Sequence, residues 1–131
     1  MNNKNCCKTE INHILYLTPP AIEITNIEHK FKTKPKIIFS TDKDKETIIK
    51  GIIEKKIKYK DFNNNDKEIV DDIPFEDKIS CCYTDTKKYT IDSIEISELC
   101  RKLSGTDTIG GRTVFGTLLE KISVKIAFSK L

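Results

Sequence analysis

The 131 residues of this chain fit one domain with a single hydrophobic core, and a second domain is not expected at this length. The 23 Lys and Arg residues are nearly balanced by 20 Asp and Glu residues, which leaves a formal net charge of +3. Only Arg101 and Arg112 carry the guanidinium group that favours phosphate and base contacts, so the composition argues against a nucleic-acid partner.

The longest apolar run, residues 14–17, is far shorter than the roughly 20 residues of a transmembrane helix. The polar segment before it lacks the apolar run and the cleavage site of a secretory signal. We therefore expect no membrane span and synthesis in the cytoplasm.

The first ten residues show no periodicity, so residues 1–10 are expected to form a flexible arm with no core contacts of its own. Residues 11–131 are expected to form one β-domain. Its first strand, residues 11–17, should end at Pro19 and Pro20, because proline cannot donate to a sheet ladder.

The clearest element is a β-hairpin within residues 46–82. Apolar and charged residues alternate along its first strand, and turn-forming residues 61–66 precede a second alternating run. This pattern predicts one buried and one solvated face. The apolar positions are Ile49, Gly51, Ile53, Ile57, Tyr59, Ile69, Ile73, Phe75 and Ile79.

The last third of the chain gives mixed signals. Strand spacing in residues 89–96 leads into a predicted two-turn helix, with Ser97 as its cap and Gly105 as its stop. Residues 105–112 are expected to form a flexible loop, and residues 118–128 alternate as a final strand.

These elements together amount to roughly seven to nine short strands with little helix, which predicts an all-β fold. We expect two antiparallel sheets packed face to face, as in a β-sandwich or jelly roll. The buried core should include Ile53, Ile57, Phe75, Ile122, Val124 and Ile126.

The odd number of cysteines leaves at least one thiol without a partner in the same chain. Adjacent cysteines without a C-x-x-C spacing or a His pair argue against a metal site. Two interpretations stay open. Either all five thiols are reduced, with Cys81 and Cys100 filling the core, or the thiols of the arm link neighbouring subunits, with the more exposed Cys82 as the best acceptor. The candidate residues are Cys6, Cys7, Cys81, Cys82 and Cys100.

Catalytic patterns are not found in the sequence. His13 and His29 have no nucleophile or carboxylate at a recognisable spacing, and we interpret them as ordinary strand residues. The glycine-rich residues 105–112 lack the Gly-Lys-Ser/Thr ending that cradles phosphate. The sequence therefore predicts neither an enzyme nor a bound cofactor.

The hairpin pattern resembles the SPOCS-type domain of spore-coat and spore-envelope proteins of endospore-forming bacteria. The resemblance covers about a quarter of the chain well. It consists of an apolar strand with a central glycine, an Ile-x-Tyr end, an Asn-rich turn and an Ile-Pro-Phe segment. The residues that carry it are Ile49, Gly51, Ile53, Ile57, Tyr59, Ile73, Pro74, Phe75 and Ile79.

The Cys6 and Cys7 pair ahead of a small β-domain is similar to the N-terminal connector of endospore-appendage subunits. This similarity implies an arm that reaches into neighbouring subunits and is cross-linked to them. The predicted function is a self-assembling subunit of a spore-surface layer or filament, located in the coat, the exosporium or an appendage. The alternative is a SPOCS-like adaptor that recruits other spore-coat proteins.

Overall fold

The structure, a computed structural model, describes residues 4–39, 47–78 and 89–130. They form one antiparallel sheet with the strand order β3-β2-β1-β5-β4. The all-β prediction is confirmed, but the described residues form five long strands in one sheet, and two separate sheets are not seen. The strands are β1 (Lys4–Phe39), β2 (Thr47–Asp61), β3 (Asp66–Lys78), β4 (Tyr89–Ile109) and β5 (Arg112–Lys130).

Strand β1 changes its partner about halfway along its 36 residues. Residues 4–16 pair with β5, residues 21–39 pair with β2, and Ala21 also pairs with Phe115 of β5. The change falls at Pro19 and Pro20, neither of which can donate to a ladder. The prediction that these prolines end a strand is therefore wrong, because the strand continues and its hydrogen bonds move to the other neighbour. The Tyr59 hydroxyl of β2 donates to the Pro19 carbonyl at 2.8 Å.

The backbone of the expected arm takes part in the sheet of the domain. The backbone of residues 4–10 pairs with β5, and Ile11 packs against the core. Ladder hydrogen bonds join backbone groups and do not depend on side-chain type, so a polar segment can pair as a strand without apolar periodicity.

The predicted β2–β3 hairpin is confirmed, with Lys60 opposite Asp66 at its end. The Asp61 carboxylate accepts hydrogen bonds from the backbone N–H groups of Asn63 and Asn65, each at 2.9 Å. Asn64 has a positive φ of 65°, a conformation that asparagine tolerates well. The Asn-rich sequence therefore forms the turn for which its side chains are suited.

The predicted helix after Ser97 is wrong, because β4 continues without a break to Ile109. A register shift between Glu98 and Cys100 marks a bulge in this strand. Before the bulge, the inward positions are even-numbered and include Ile96 and Glu98. After it, they are odd-numbered and include Leu103. The irregular apolar spacing was therefore produced by a bulge and not by helical turns.

The predicted loop at residues 105–112 is much shorter in the structure. Residues up to Ile109 belong to β4, and β5 begins at Arg112. The two residues between them, Gly110 and Gly111, have φ angles of 57° and 77°. Two positive φ angles in a two-residue connection suit the twist of a tight hairpin, which explains why glycine occupies both positions.

Two apolar clusters fill the interior, and the six residues predicted for the core are all buried. The first cluster is Ile49, Ile53, Ile73, Phe75, Ile122, Val124 and Ile126. The second is Leu15, Leu17, Ala21, Ile57, Tyr59 and Leu118. Burying side chains of this size contributes about 1.5–3 kcal/mol each.

The clusters show that the sheet folds over on itself. Both contain residues of β2 and β5, which are not neighbours in the strand order. The β3–β2–β1 half, which includes residues 21–39 of β1, therefore faces the β1–β5–β4 half, which includes residues 4–16. None of the described residues belongs to a helix that is long and apolar enough to cross a membrane.

Candidate functional site

A layer of polar side chains separates the two apolar clusters. In β2, Lys55 lies between Ile53 of the first cluster and Ile57 of the second. Each of the other strands also contributes at least one polar residue to this layer. We call these residues the central polar cluster: His13, His29, Lys55, Asp71, Glu98 and Glu120.

The centre of this cluster is the ion pair between Lys55 of β2 and Glu120 of β5. Lys55 Nζ lies 2.7 Å from Glu120 Oε1, and both side chains have zero exposed surface. Removing two charges from water costs several kcal/mol per ion, and only close contact and further hydrogen bonds offset that cost. The groups around the pair provide those hydrogen bonds.

Each histidine contacts one member of the pair. His29 Nε2 lies 2.9 Å from Glu120 Oε1, and a carboxylate oxygen only accepts, so this nitrogen donates. The Lys55 ammonium donates to His13 Nδ1 at 3.1 Å. His13 Nε2 therefore carries its proton and donates to Asp71 Oδ2 at 2.9 Å.

This arrangement favours neutral His13. Burial lowers the pKa of His13 from 6.5, and the charge of Lys55 lowers it further. The hydrogen bond to Asp71 raises the pKa of His13, but the pKa remains below 6.5. A neutral imidazole with an unprotonated Nδ1 facing an ammonium group can accept a proton from it.

Glu98 supplies a second carboxyl group beside Glu120. Burial raises the pKa of Glu98, and its hydrogen bond with Glu120 raises that pKa further. Burial alone would also raise the pKa of Glu120, but hydrogen bonds with His29, Glu98 and Lys55 lower it to about 2. Of the two carboxyl groups, Glu98 therefore keeps a proton to the higher pH.

The shared proton also explains two buried oxygens. Within the described residues, Glu98 Oε2 and Glu120 Oε2 are buried and accept no hydrogen bond from a neighbouring donor. A protonated Glu98 that donates to Glu120 satisfies both groups at once. The other oxygen of Glu98, Oε1, accepts from Arg101 Nε at 2.7 Å.

One feature of the sequence indicates a charged residue in the core. Lys55 has the same parity as Ile53 and Ile57, so a charged residue was already placed on the predicted buried face. The interpretation of the two histidines as isolated is wrong. Their carboxylate partners lie 58 and 91 positions away in the chain, which no local spacing can show.

The structure places only some of the predicted cysteine sites. Cys6 and Cys7 lie in the paired backbone of β1, opposite Ala127 and Ile126, and their side chains lie outside the described residues. Cys81 and Cys82 also lie outside the described residues, so their predicted orientations stay predictions. Cys100 is a free and exposed thiol on β4, so the interpretation that it fills the core is wrong.

The register excludes a disulfide between Cys100 and either cysteine of β1 within one folded subunit. Cys7 pairs with Ile126 of β5, whereas Cys100 pairs with Lys121 of the same strand. Five residues along a strand span about 17 Å, far more than the separation of about 4.4–6.8 Å between bridged Cα atoms. A bond between these thiols therefore has to join two copies.

The central polar cluster does not resemble a metal centre. Among residues 4–39, 47–78 and 89–130, no group of three or more His, Cys, Asp or Glu side chains is arranged to hold an ion. The Lys55 ammonium occupies the position between the histidine and the carboxylate. Because Lys55 and Glu120 are fully buried, the chemistry open to them is with each other and with the groups that contact them.

Comparison of the chain with protein-family models, curated proteins and solved structures finds no match. The fold and the site together define an all-β protein with one folded antiparallel sheet. Its distinguishing feature is a charged cluster enclosed between two apolar clusters.

Proposed function

We propose that this chain is a non-catalytic structural subunit that joins copies of itself through the strand edges of the β1–β5–β4 half. Strand edges expose unpaired backbone donors and acceptors, which can extend a sheet into a neighbouring molecule. The observation that carries the proposal is a contrast between the edges of the two halves.

The edges of the β3–β2–β1 half are poorly suited to pairing. Strand β3 contains six acidic residues, two lysines and Pro74. Residues 21–39 of β1 contain Pro35 between Lys34 and Lys36, with two further lysines just before them. Charges and prolines at an edge disfavour further strand pairing.

The edges of the β1–β5–β4 half differ in lacking proline and in carrying three of the five exposed large apolar side chains of the described residues. Residues 4–16 and strand β4 contain no proline, and in the described strands each pairs on one side only, with β5. They carry exposed apolar side chains: Ile14 is 56%, Tyr16 is 74% and Leu99 is 45% exposed. Within the described ladders, these edges combine backbone groups that no strand pairs with and apolar surface that a neighbouring copy would bury.

The cysteines support a covalent contact between such copies. Cys6 and Cys7 lie along one edge of this half, and exposed Cys100 lies on the other. In an edge-to-edge contact, residues 4–16 of one copy lie beside strand β4 of the next. An oxidising environment would then convert neighbouring thiols into disulfides. Cys81 and Cys82 remain candidate acceptors in this proposal.

The SPOCS-type resemblance of the hairpin supports a place on the spore surface, in the coat, the exosporium or an appendage. In this proposal, the two facing halves of the folded sheet serve as the two layers of a small β-sandwich. Other spore-coat proteins are further partners. The resemblance also supports an alternative, an adaptor that recruits those proteins and does not polymerise.

Negative-stain microscopy of the purified protein tests the proposal. We expect ordered fibres or sheets from the wild type, and their loss in Ile14→Lys or Leu99→Lys, which place a charge on the joining edges. Val70→Lys is the matched control, because Val70 is 53% exposed but lies on β3. A wild type that stays monomeric or dimeric until a coat protein is added would favour the adaptor, and assembly lost equally in all three variants would contradict the proposed edges.

A further inference from the structure

Lys55 and Glu120 present the two reactants of an amide bond in contact and away from water. The amine nitrogen lies 2.7 Å from a carboxylate oxygen, and neither side chain has exposed surface. Holding two groups in this way replaces a bimolecular encounter with an intramolecular one, which lowers the entropic barrier to reaction. The surrounding groups are those that such a condensation needs.

We propose that Lys55 and Glu120 condense into an isopeptide bond that covalently joins β2 to β5. Lys55 Nζ attacks Glu120 Cδ, so that a C–N bond forms, and the bond from Cδ to Oε2 then breaks. Of the three ammonium protons, two leave with Oε2 as water and the third stays on the amide nitrogen. The net reaction consumes one ammonium and one carboxylate and needs no oxidant, reductant or added reactant.

Three neighbours have roles in this reaction that follow from their positions. His13 Nδ1 lies 3.1 Å from Lys55 Nζ and accepts the proton whose loss frees the amine lone pair. His29 Nε2 donates to Glu120 Oε1 at 2.9 Å, the oxygen that becomes the amide carbonyl and carries negative charge during the attack. Glu98 Oε2 and Glu120 Oε2 are both buried without another partner, so Glu98 is placed to protonate the departing Oε2.

The energetics of burial favour the product. The ion pair keeps two charges in an apolar interior, which is costly, whereas an amide is neutral. Exclusion of water from the site also protects the product against hydrolysis. The bond would connect the two halves of the folded sheet at its centre, because β2 and β5 belong to opposite halves.

The mass of the intact, fully reduced protein tests this proposal without reference to assembly. We expect the wild type to be lighter than its sequence mass by one water molecule, and a protease digest to contain a branched peptide that joins Lys55 to Glu120. A folded wild type with its full sequence mass and no branched peptide would overturn the proposal. A mass deficit that maps to another residue pair would overturn it equally.

Variants separate the roles of the neighbouring groups. Lys55→Arg should restore the full mass, and Lys56→Arg, whose side chain pairs with Glu68 outside the core, should keep the deficit. Glu98→Gln retains the size of the side chain but cannot transfer a proton in the same way, so the cross-linked fraction should fall at least tenfold at a fixed time after refolding. Circular dichroism establishes that each variant is folded, and an unchanged cross-linked fraction in folded Glu98→Gln would remove Glu98 from the reaction.

Discussion

His29 of β1 and Glu120 of β5 are 91 positions apart in the chain, yet His29 Nε2 and Glu120 Oε1 lie 2.9 Å apart. Around His29, β1 pairs with β2 and not with β5, so this contact crosses the interior between the two halves of the sheet. The ion pair of Lys55 with the same carboxylate crosses it as well. Glu120 of β5 therefore contacts both β2 and residues 21–39 of β1, and links that half of the sheet to its own.

Removing the Glu120 carboxylate should destabilise the fold strongly. Glu120→Ala leaves Lys55 as an unpaired buried charge and also prevents the proposed isopeptide bond, so we expect a loss of at least about 3–5 kcal/mol in the free energy of unfolding. Urea denaturation measures this loss. Glu68→Ala, which breaks an ion pair with half-exposed Lys56, is the control and should change stability little. Equal effects of the two variants would show that the buried pair has no special role.

The stability of the protein should depend on the titration of His13. Its pKa is lowered from 6.5, chiefly by burial, so between the lowered pKa and 6.5 the unfolded chain binds more protons than the folded protein. The free energy of unfolding should therefore fall as pH decreases below 6.5. Denaturation across this interval for the wild type and for His13→Gln, which does not titrate there, isolates the contribution.

The comparison of two proteins is needed because other groups in the cluster titrate at lower pH. The raised pKa of Glu98 contributes stability that is present below 4.5 and is lost as pH rises. In molecules whose Glu120 carboxylate is not yet joined to Lys55, the lowered pKa of Glu120 contributes stability that is lost as pH falls below 4.5. These contributions largely cancel in the difference between the proteins. Parallel pH profiles would contradict the role of His13.

Gly51 should not tolerate a side chain. A Cβ atom at this position would lie 3.0 Å from the Phe75 ring and 3.1 Å from the Thr33 carbonyl oxygen. We expect Gly51→Ala to reduce the free energy of unfolding by about 1–3 kcal/mol, as in other overpacked sites. Gly116→Ala is the control, because its nearest neighbour would be at an ordinary 3.7 Å. Similar losses in both variants would indicate a general cost of alanine and not crowding at Phe75.

Ile126 should contribute strongly to the core. It has zero exposed surface and packs in the first apolar cluster, so Ile126→Ala should cost about 2–5 kcal/mol in chemical denaturation. Ile14→Ala removes the same atoms at a position that is 56% exposed and should cost far less. A small effect of Ile126→Ala would place that side chain outside the core.

The thiols of β1 should control the durability of any assembly but not the fold of the subunit. Replacing both Cys6 and Cys7 by Ser should leave circular dichroism unchanged and make the assembly dissociate in detergent without reductant. Cys100→Ser tests whether the exposed thiol of β4 is the acceptor. The measurement is non-reducing electrophoresis, and a wild-type assembly that dissolves fully to monomer would rule out the disulfide link.

The sequence alone determined the local features of this protein. Alternation along β2 and β3, the Asn-rich turn between them and the buried parity of Ile122, Val124 and Ile126 could all be predicted. Each depends on side chains within a few positions of one another, because the alternation of a strand and the chemistry of a turn are local properties.

The tertiary structure decided which strands pair and which charges meet. Pro19 and Pro20 gave no local sign that β1 would continue and change its partner, and the bulge after Glu98 imitated helical spacing. Lys55 was already on the buried face of its strand, but the carboxylate that neutralises it comes from β5. Burial of a charge becomes acceptable only when distant chain segments bring its partners within hydrogen-bonding distance, and sequence spacing does not record that distance.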